Sequence, residues 1–574
     1  MHPFDYVIVG AGTAGCVMAN RLSAGGAHRV LLLEAGGGDR CPLITAPGGM
    51  WPIMRSGAFS WRYRTAPQEH LDRRIFTMPR GKVLGGSSST NGMVYSRGAR
   101  EDYDQWRDLG LGGWSYADVL PSFVRLESHP LGPSAYHGAN GPLHVTRPGI
   151  RHPLSAAFIA AATHAGYPVN DDTDGPTREG FGPIDLMTWK GRRCSTSTAY
   201  LRPALGRPNL VVAKHAHVLR VLIQNDRATG VEYLDRGRSV TASAALEVII
   251  CCGAIQSPQL LLLSGIGPEA HLQQMQLPVI RKMPGVGLGL QDHVSVTVKC
   301  TVNRPITLLR YRHPWRLAGA VANYFLRQRG PLANPGFEVV GFVKSRPDLP
   351  RPDLRLQLVL ALLRADKRGM MPCHGFQIRA TLARPTSFGS VRLASADPRQ
   401  APIVDQNYLT DPEECSALRS AVRIMRRLCA APAFDAYRDE ELEPGPAVSS
   451  DAELDAYVRS RAEPDYHTVG TCRMGADSFA VVDSLCRVHG VAGLRVVDAS
   501  VMPRIVDGGT CVPTIMIAER IAESIQRSMG AKRRFARAGG RGCKLRGRHA
   551  VGHGVSMGPR ARPGIAARML LHYR

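Results

Sequence analysis

The sequence contains no Cys-x-x-Cys pair, and its 13 cysteines follow no regular spacing. That pattern argues against a zinc site and against a redox dithiol. An odd count in a large chain without a secretion signal reads as free thiols rather than disulfides. Long apolar runs are also missing. The best, such as Leu260-Leu261-Leu262-Leu263, fall far short of the roughly 20 residues that span a bilayer. The first strand is entered by Phe4, which leaves no room for a signal peptide, so a cytoplasmic protein is expected. There is no internal repeat and no long heptad array, which excludes a solenoid or a coiled coil. Acidic residues are absent from Ala531 to Arg574, where twelve Lys and Arg supply about half of the net charge of +25. Such a segment buries little apolar surface and is expected to be a disordered basic tail. It lacks the aromatic interleaving of a base-stacking platform, so no specific nucleic-acid partner is expected. Peripheral contact with an anionic membrane is the role left open for it.

What is present is a soluble, globular composition, 44% hydrophobic and 21% charged. At 574 residues the chain exceeds a single simple core, so two or more domains are expected. Residues 6–34 read as strand, glycine turn, helix, strand and acid: Tyr6-Val7-Ile8-Val9, then Gly10-Ala-Gly12-Thr-Ala-Gly15, then Val30-Leu31-Leu32-Leu33-Glu34. Each part answers a demand of dinucleotide binding. Gly10 permits the tight turn, Gly12 a close approach to pyrophosphate, and Gly15 close packing of helix on strand. The helix N-terminus offers free N–H groups to phosphates, and Glu34 can accept hydrogen bonds from ribose hydroxyls. A lone glycine turn says little; the flanking strands and the acid make the pattern specific.

Further on, Met78–Arg97 holds a Gly/Ser-rich stretch flanked by apolar and turn residues, which favours a fixed loop over a linker. Leu210–Val221 and Ala245–Cys252 have the pattern of strands. Gly253-Ala-Ile-Gln-Ser-Pro258 turns into the apolar run Gln259–Leu263, with Pro inside the start and Gly265 past the end of a short helix. Leu494-Arg-Val-Val-Asp498 reads as a strand ending in an acid. Pro513 opens a helix whose Ala518, Ile521, Ala522 and Ile525 share one face.

In this order the pieces resemble the glucose–methanol–choline family of flavin-dependent oxidoreductases, from about Asp5 to Ser528. Four motifs carry the resemblance. They are the fingerprint with Glu34; Gly81-Lys-Val-Leu-Gly-Gly-Ser-Ser-Ser-Thr-Asn91-Gly-Met; Gly253-Ala-Ile-Gln-Ser-Pro-Gln-Leu-Leu-Leu-Leu-Ser-Gly-Ile-Gly267 with Pro284-Gly-Val-Gly and Gln291-Asp292-His293; and His467-Thr-Val-Gly-Thr-Cys-Arg-Met-Gly475 with Asp498-Ala-Ser and Pro513-Thr-Ile-Met-Ile-Ala-Glu519. The resemblance implies an α/β fold: a Rossmann-type FAD-binding domain built from discontinuous segments, plus an α+β substrate domain with an antiparallel sheet. The expected division is 1–300 for the FAD-binding part with some substrate-domain insertions, and 301–461 for mainly the substrate domain. Residues 462–530 return to the FAD domain with the catalytic histidine, and 531–574 form the tail. The implied activity is oxidation of a primary or secondary alcohol, choline-like or aliphatic, with electrons passed on to a quinone, another carrier or oxygen.

Carried over residue by residue, Gly10, Gly12 and Gly15 hold the pyrophosphate and Glu34 the adenosine ribose. Gly86, Asn91 and Met93 run beside the flavin, the backbone at Val218 meets the adenine, and Asp498 returns to the cofactor. His467 matches the catalytic base, a suitable one because imidazole titrates near neutral pH. No metal ligands are implied. Thr90 stands where some members join a histidine to the flavin; threonine cannot form that bond, so non-covalent FAD is expected.

One departure concerns the second polar residue beside the alcohol oxygen. Members read like Gly-Asn-Thr-Asn-Ala-Pro-Thr, whereas this chain has Gly508-Gly509-Thr510-Cys511-Val512-Pro513-Thr514. Cys511 then takes the second position, and a thiol is a weak donor and acceptor. Gly509 also replaces an Asn, and Gly289 replaces the Asn usual before Leu-Gln-Asp-His. A slower alcohol dehydrogenase, another substrate or altered chemistry are all open, as is the non-redox lyase chemistry of some members. Glu338 matches a substrate-domain acid that could attract a quaternary ammonium.

Overall fold

Strands that are apolar at every position, not at alternate ones, belong between two covering layers. Tyr6–Val9 and Val30–Glu34 have that character and are buried throughout. In the computed structural model, which describes residues 3–364 and 369–539, they form the middle of a parallel sheet. Its order is Leu210–Lys214, Val30–Glu34, Phe4–Val9, Arg238–Ile250, with Leu494–Val496 paired to the last. The C-terminal part of the chain therefore returns to the sheet begun by the N-terminus. Arg227–Asp235 and Ala216–Gln224 extend it as an antiparallel meander.

The helix Thr13–Ser23 crosses between the first two strands, as a parallel connection requires. Two glycines make the turn possible. Gly10 has φ +93, and a Cβ there would lie 2.7 Å from the Cys251 carbonyl oxygen. A Cβ on Gly15 would lie 1.9 Å from the Gly10 carbonyl oxygen.

A second helix, Gly253–Leu263, contains Pro258 in its interior, whereas the sequence pattern put Pro258 near its start. The reason is local. A proline at 258 cannot donate to the carbonyl of Ala254, and the hydroxyl of Thr471 donates to that carbonyl instead, at 2.7 Å.

The second sheet is antiparallel, in the order Arg438–Glu443, Val294–Val302, Gly375–Leu382, Leu354–Val359, Val339–Val343, Gly180–Pro183, with Glu463–Pro464 also on Val294–Val302. It draws strands from before residue 301 and from after residue 461. Its outer face packs Leu354, Leu356, Leu358, Phe376, Ile378 and Ala380 into a core shared with the helices Pro153–His164 and Pro412–Ala430. The fold is thus α/β with a smaller α+β layer.

The last helix, Cys511–Gly539, begins two residues before Pro513. Pro513 lies in its first turn, where a missing N–H costs nothing. The helix reaches nine residues into the segment expected as a tail; residues 540–574 lie outside the described residues. Met1–Ile525 forms one compact unit and Gln526–Arg574 a second. Among the described residues no helix is long and apolar enough to cross a membrane, and the cysteines are free thiols.

Gly15→Ala should destabilise the protein by about 2 kcal/mol or more, because the added methyl meets backbone that cannot move without parting helix from strand. The denaturant midpoint of the variant measures it; an unchanged midpoint contradicts the packing described.

Candidate active site

A single long cavity runs between the parallel sheet and the inner face of the antiparallel one. Gly10, Gly12 and Glu34 line one end, and His467, Arg355 and Arg379 line the other. Of the residues expected to hold the cofactor or act in catalysis, all but Gly15 line it: Gly10, Gly12, Glu34, Gly86, Asn91, Met93, Val218, His467, Asp498 and Cys511. Gly15 sits behind, against the Gly10 carbonyl.

The first end is built to take an anion and a ribose. The helix Thr13–Ser23 starts at Gly12 with no side-chain cap and no acid in its first turn. Its leading N–H groups and dipole are left for a ligand. A Cβ on Gly86 would stand 2.7 Å from the Gly12 Cα, so two backbones close around this space without side chains. Glu34 ends its strand buried, its oxygens accepting from Ala11 N at 2.9 Å and Gly36 N at 2.8 Å. Burial pushes its carboxyl up to about 7, against the pull of those two N–H groups.

The Gly/Ser loop forms the cavity wall and is a fixed structure. Arg193, buried and outside every sequence expectation, donates to the carbonyls of Ile44 at 2.9 Å and Asn91 at 2.7 Å, and to Asn91 Oδ1 at 2.8 Å. Asn91 Oδ1 also accepts from Met93 N at 3.1 Å, which holds Met93 at φ +61. Thr90 is not part of the cavity lining. Val218 lies on the strand Ala216–Gln224, beside His217, whose ring meets Trp61 edge-on at 5.5 Å. The Asp498 carboxylate is fully engaged. It accepts from Gly253 N at 2.8 Å, Ser257 Oγ at 2.5 Å, Ser500 N at 2.8 Å and Ser500 Oγ at 2.6 Å. It fastens the C-terminal strand to the start of the helix Gly253–Leu263.

At the other end, His467 is held from two sides. Its backbone N–H donates to Asp292 Oδ1, and its Nδ1 lies 2.9 Å from Nδ1 of His293. His293 Nε2 is 3.1 Å from the Ala383 carbonyl. A carbonyl only accepts, so His293 carries its proton on Nε2 and accepts at Nδ1. His467 must then donate from Nδ1, which leaves its Nε2 as a bare lone pair. Burial holds both rings neutral: His293 is pushed down to about 4, by burial and then Arg355, and His467 well below the ordinary value, by burial and then His293. Position 509 adjoins that lone pair. A Cβ on Gly509 would stand 4.0 Å from His467 Nε2 and 3.9 Å from the Val94 carbonyl, an ordinary open contact. The Cys511 thiol instead faces Thr13 and Asn91, with Arg193 beyond; burial pushes it up to about 11, so it is protonated at neutral pH. The two glycine-for-asparagine and cysteine-for-asparagine positions therefore look onto different parts of one cavity.

Glu338 does not reach the cavity. Its carboxylate accepts from Arg151 N at 3.2 Å and His152 N at 2.9 Å. The sequence reading gave no role to His293, Asp292, Arg193, Arg355, Arg379 or Asp465. His293 and Asp292 belong to the Gln291-Asp292-His293 motif, and they hold the ring and the backbone of His467 respectively. Arg355 and Arg379 gave a subtler signal, a charge within each of two otherwise largely apolar strands.

Comparison with known proteins agrees with this architecture. Family models described as GMC oxidoreductase match residues 4–295 and 385–518. The chain is 43% identical over 525 residues to an oxygen-dependent choline dehydrogenase of Sinorhizobium medicae, covering 91% of this chain and 95% of that one. It is 42% identical over 534 residues to the mitochondrial choline dehydrogenase of Mus musculus, covering 91% and 89%. Among solved structures, pyridoxine 4-oxidase from Mesorbium loti superposes with TM-score 0.83 at 30% identity, covering 91% of this chain and 99% of that one. A formate oxidase of Aspergillus oryzae RIB40 superposes with TM-score 0.86 at 27% identity, covering 92% and 98%.

The state of Glu34 makes stability depend on pH. Its native value, about 7, lies above the ordinary 4.5, so the native state favours the protonated form. The stabilisation is complete below pH 4.5 and is lost as pH rises through about 7, roughly 3 kcal/mol in all. In the ligand-free protein Glu34→Gln, neutral throughout, should show a smaller fall in urea midpoint between pH 5 and pH 8 than the wild type. An identical fall contradicts the assignment.

Proposed function

The chain belongs to the GMC oxidoreductase family and is an FAD-dependent oxidoreductase acting on CH–OH donors, and from that premise we propose that His467 Nε2 is the base that takes the hydroxyl proton of an alcohol. The observation that carries this reading is the hydrogen-bond chain from the Ala383 carbonyl through His293 to His467. It leaves Nε2 of His467, the unprotonated nitrogen of the pair that accepts no hydrogen bond among the described residues, beside the cavity.

The cavity suits FAD, held non-covalently. The uncapped helix start with Gly10 and Gly12 would take the pyrophosphate, and Glu34 the adenosine ribose. Val218 would pass the adenine, and Gly86, Asn91 and Met93 would run along the flavin. The close approach of Gly86 to Gly12, which a Cβ on Gly86 would block, supports this. FAD would supply the two-electron acceptor, at its flavin N5, for the hydride that leaves the alcohol carbon.

The protein's own part is proton management and placement. His467 accepts the proton at Nε2 while its Nδ1–H stays on His293. The resulting imidazolium is next to Asp465, a buried carboxylate held well below the usual range by Arg379 and Arg355 despite burial. Asp292, on the backbone of His467, keeps the ring from drifting. The product is an aldehyde or ketone, and the electrons leave to an external acceptor. Because His467 titrates well below the ordinary histidine value, the base is available across neutral pH, and the acid limb of the rate should fall below pH 6.5.

Two tests follow from this geometry. His467→Ala should keep its flavin spectrum and lose anaerobic flavin reduction by alcohol, by about 10²–10⁴-fold; near-normal reduction would remove His467 as the base. Turnover of a cyanohydrin with no flavin bleaching and no dye reduction would favour the lyase chemistry instead. The second test separates the two departures. Gly509→Asn places an amide beside His467 Nε2 and should raise the rate of flavin reduction, whereas Cys511→Asn, facing Thr13 and Asn91, should change it less. The opposite ranking would return the missing polar contact to position 511.

A further inference from the structure

The end of the cavity that holds His467 is roofed by the antiparallel sheet, and that roof is cationic. Arg355 pairs with Thr381, Gln357 with Arg379, and Val359 with Gln377 across the strands Leu354–Val359 and Gly375–Leu382. Strand alternation sends Leu354, Leu356, Leu358, Phe376 and Ile378 into the outer core and turns the other set towards the cavity. The cavity side of two adjacent strands thus carries two arginines and two glutamines.

The arginines share one carboxylate. Arg355 Nη2 donates to Asp465 Oδ2 at 2.7 Å, and Arg379 Nη2 donates to Asp465 Oδ1. Asp465 also accepts from Thr381 Oγ1 at 2.8 Å and Ser295 Oγ at 3.1 Å. A third guanidinium, Arg80, lines the same space. It donates to the Tyr466 carbonyl at 2.6 Å, its Nε is enclosed without a partner, and no carboxylate lies within ion-pair distance among the described residues.

Among the described residues lining this end, three guanidiniums face one carboxylate. Asp292, buried on the backbone side of His467, still leaves an excess of positive charge, and the histidines are neutral. Positive charge enclosed without an anion is costly, and a cationic alcohol would add to it. The acid that could have met a cation, Glu338, is turned onto backbone N–H groups. Glu34 and Asp498, the other lining carboxylates, are engaged by backbone and hydroxyl donors elsewhere in the cavity.

We propose that the alcohol taken by this chain bears a carboxylate, and that Arg379, with Arg355 behind it, binds that carboxylate while the hydroxyl meets His467. Arg379 is the more open of the two, 22% exposed against 10%, and is the principal contact. The inference rests on the reading of His467 as the base for alcohol oxidation. The hydroxyl proton goes to His467 and the carbon-bound hydrogen leaves with two electrons to the flavin. The hydroxy acid becomes an aldehyde or keto acid with its carboxylate unchanged. Arg379 gives Nε to Ser295 Oγ at 2.8 Å and Nη2 to Asp465 and, at 3.1 Å, to the Pro464 carbonyl, so its Nη1 is the nitrogen left to donate a charge-assisted hydrogen bond to the substrate carboxylate.

The test uses the FAD-loaded enzyme and anaerobic flavin reduction by a length series of ω-hydroxy acids, their methyl-ended neutral alcohols, and choline. The best hydroxy acid should exceed its neutral counterpart in kcat/KM by about tenfold or more. In Arg379→Gln that preference should fall by about tenfold, and Arg379→Lys should recover part of it. A separate readout needs no turnover: butanoate, which has no hydroxyl, should perturb the flavin absorbance at equilibrium. That binding should weaken with salt and in Arg379→Gln. Choline or neutral alcohols that reduce the flavin as well as hydroxy acids do, with the ratio unmoved by Arg379→Gln, would overturn the proposal and leave alcohol oxidation standing. If no alcohol of any charge bleaches the flavin, alcohol oxidation itself fails, and this inference with it.

Discussion

The hydrogen bond between the Nδ1 atoms of His467 and His293 governs everything that happens at the reactive end of the cavity. Two imidazoles can share such a contact only if one donates and the other accepts. The Ala383 carbonyl decides which, because it forces the His293 proton onto Nε2. A buried carbonyl just past the end of the strand Gly375–Leu382 thereby fixes the basic nitrogen of a residue far away in sequence. Burial reinforces the arrangement by making charge on either ring costly. The base is thus held neutral and oriented before any substrate arrives.

That arrangement needs the chain's distant segments to be brought together, and the fold shows how. The parallel sheet takes its last strand, Leu494–Val496, from close to the C-terminal helix. Asp498 fastens that strand to the helix Gly253–Leu263 through two hydrogen bonds, from Gly253 N and Ser257 Oγ. Thr471, four residues after His467, donates to the carbonyl that Pro258 leaves unpartnered. The helix that tolerates an interior proline and the segment that carries the base are thus joined by the same contact. The antiparallel sheet then closes over the cavity and supplies the arginines that decide which charge is welcome there.

The dinucleotide end was readable in the sequence because its constraints are local. A glycine that must accept φ +93, and another whose Cβ would collide at 1.9 Å, leave a spacing that no side chain could satisfy. Glu34 follows at the end of a uniformly apolar strand. His467 was readable only through the resemblance, since one histidine carries no signal of its own. The rest was hidden for a physical reason. Arg355, Arg379 and Asp465 meet across strands and a loop, and their charge balance exists only after folding. The difference between positions 509 and 511 was equally hidden. Both lie at the start of one helix, and only the direction of each Cα–Cβ bond tells which of them looks at His467. The residues 540–574, read as a basic tail, lie outside the described residues.

The most direct test of the central claim is to locate the protons themselves. A neutron structure of the deuterium-exchanged protein at neutral pH should show deuterium on Nε2 of His293 and on Nδ1 of His467, with none on Nε2 of His467. Deuterium on Nε2 of His467, or on both its nitrogens, would contradict the account, because the ring would then have no lone pair to offer an alcohol.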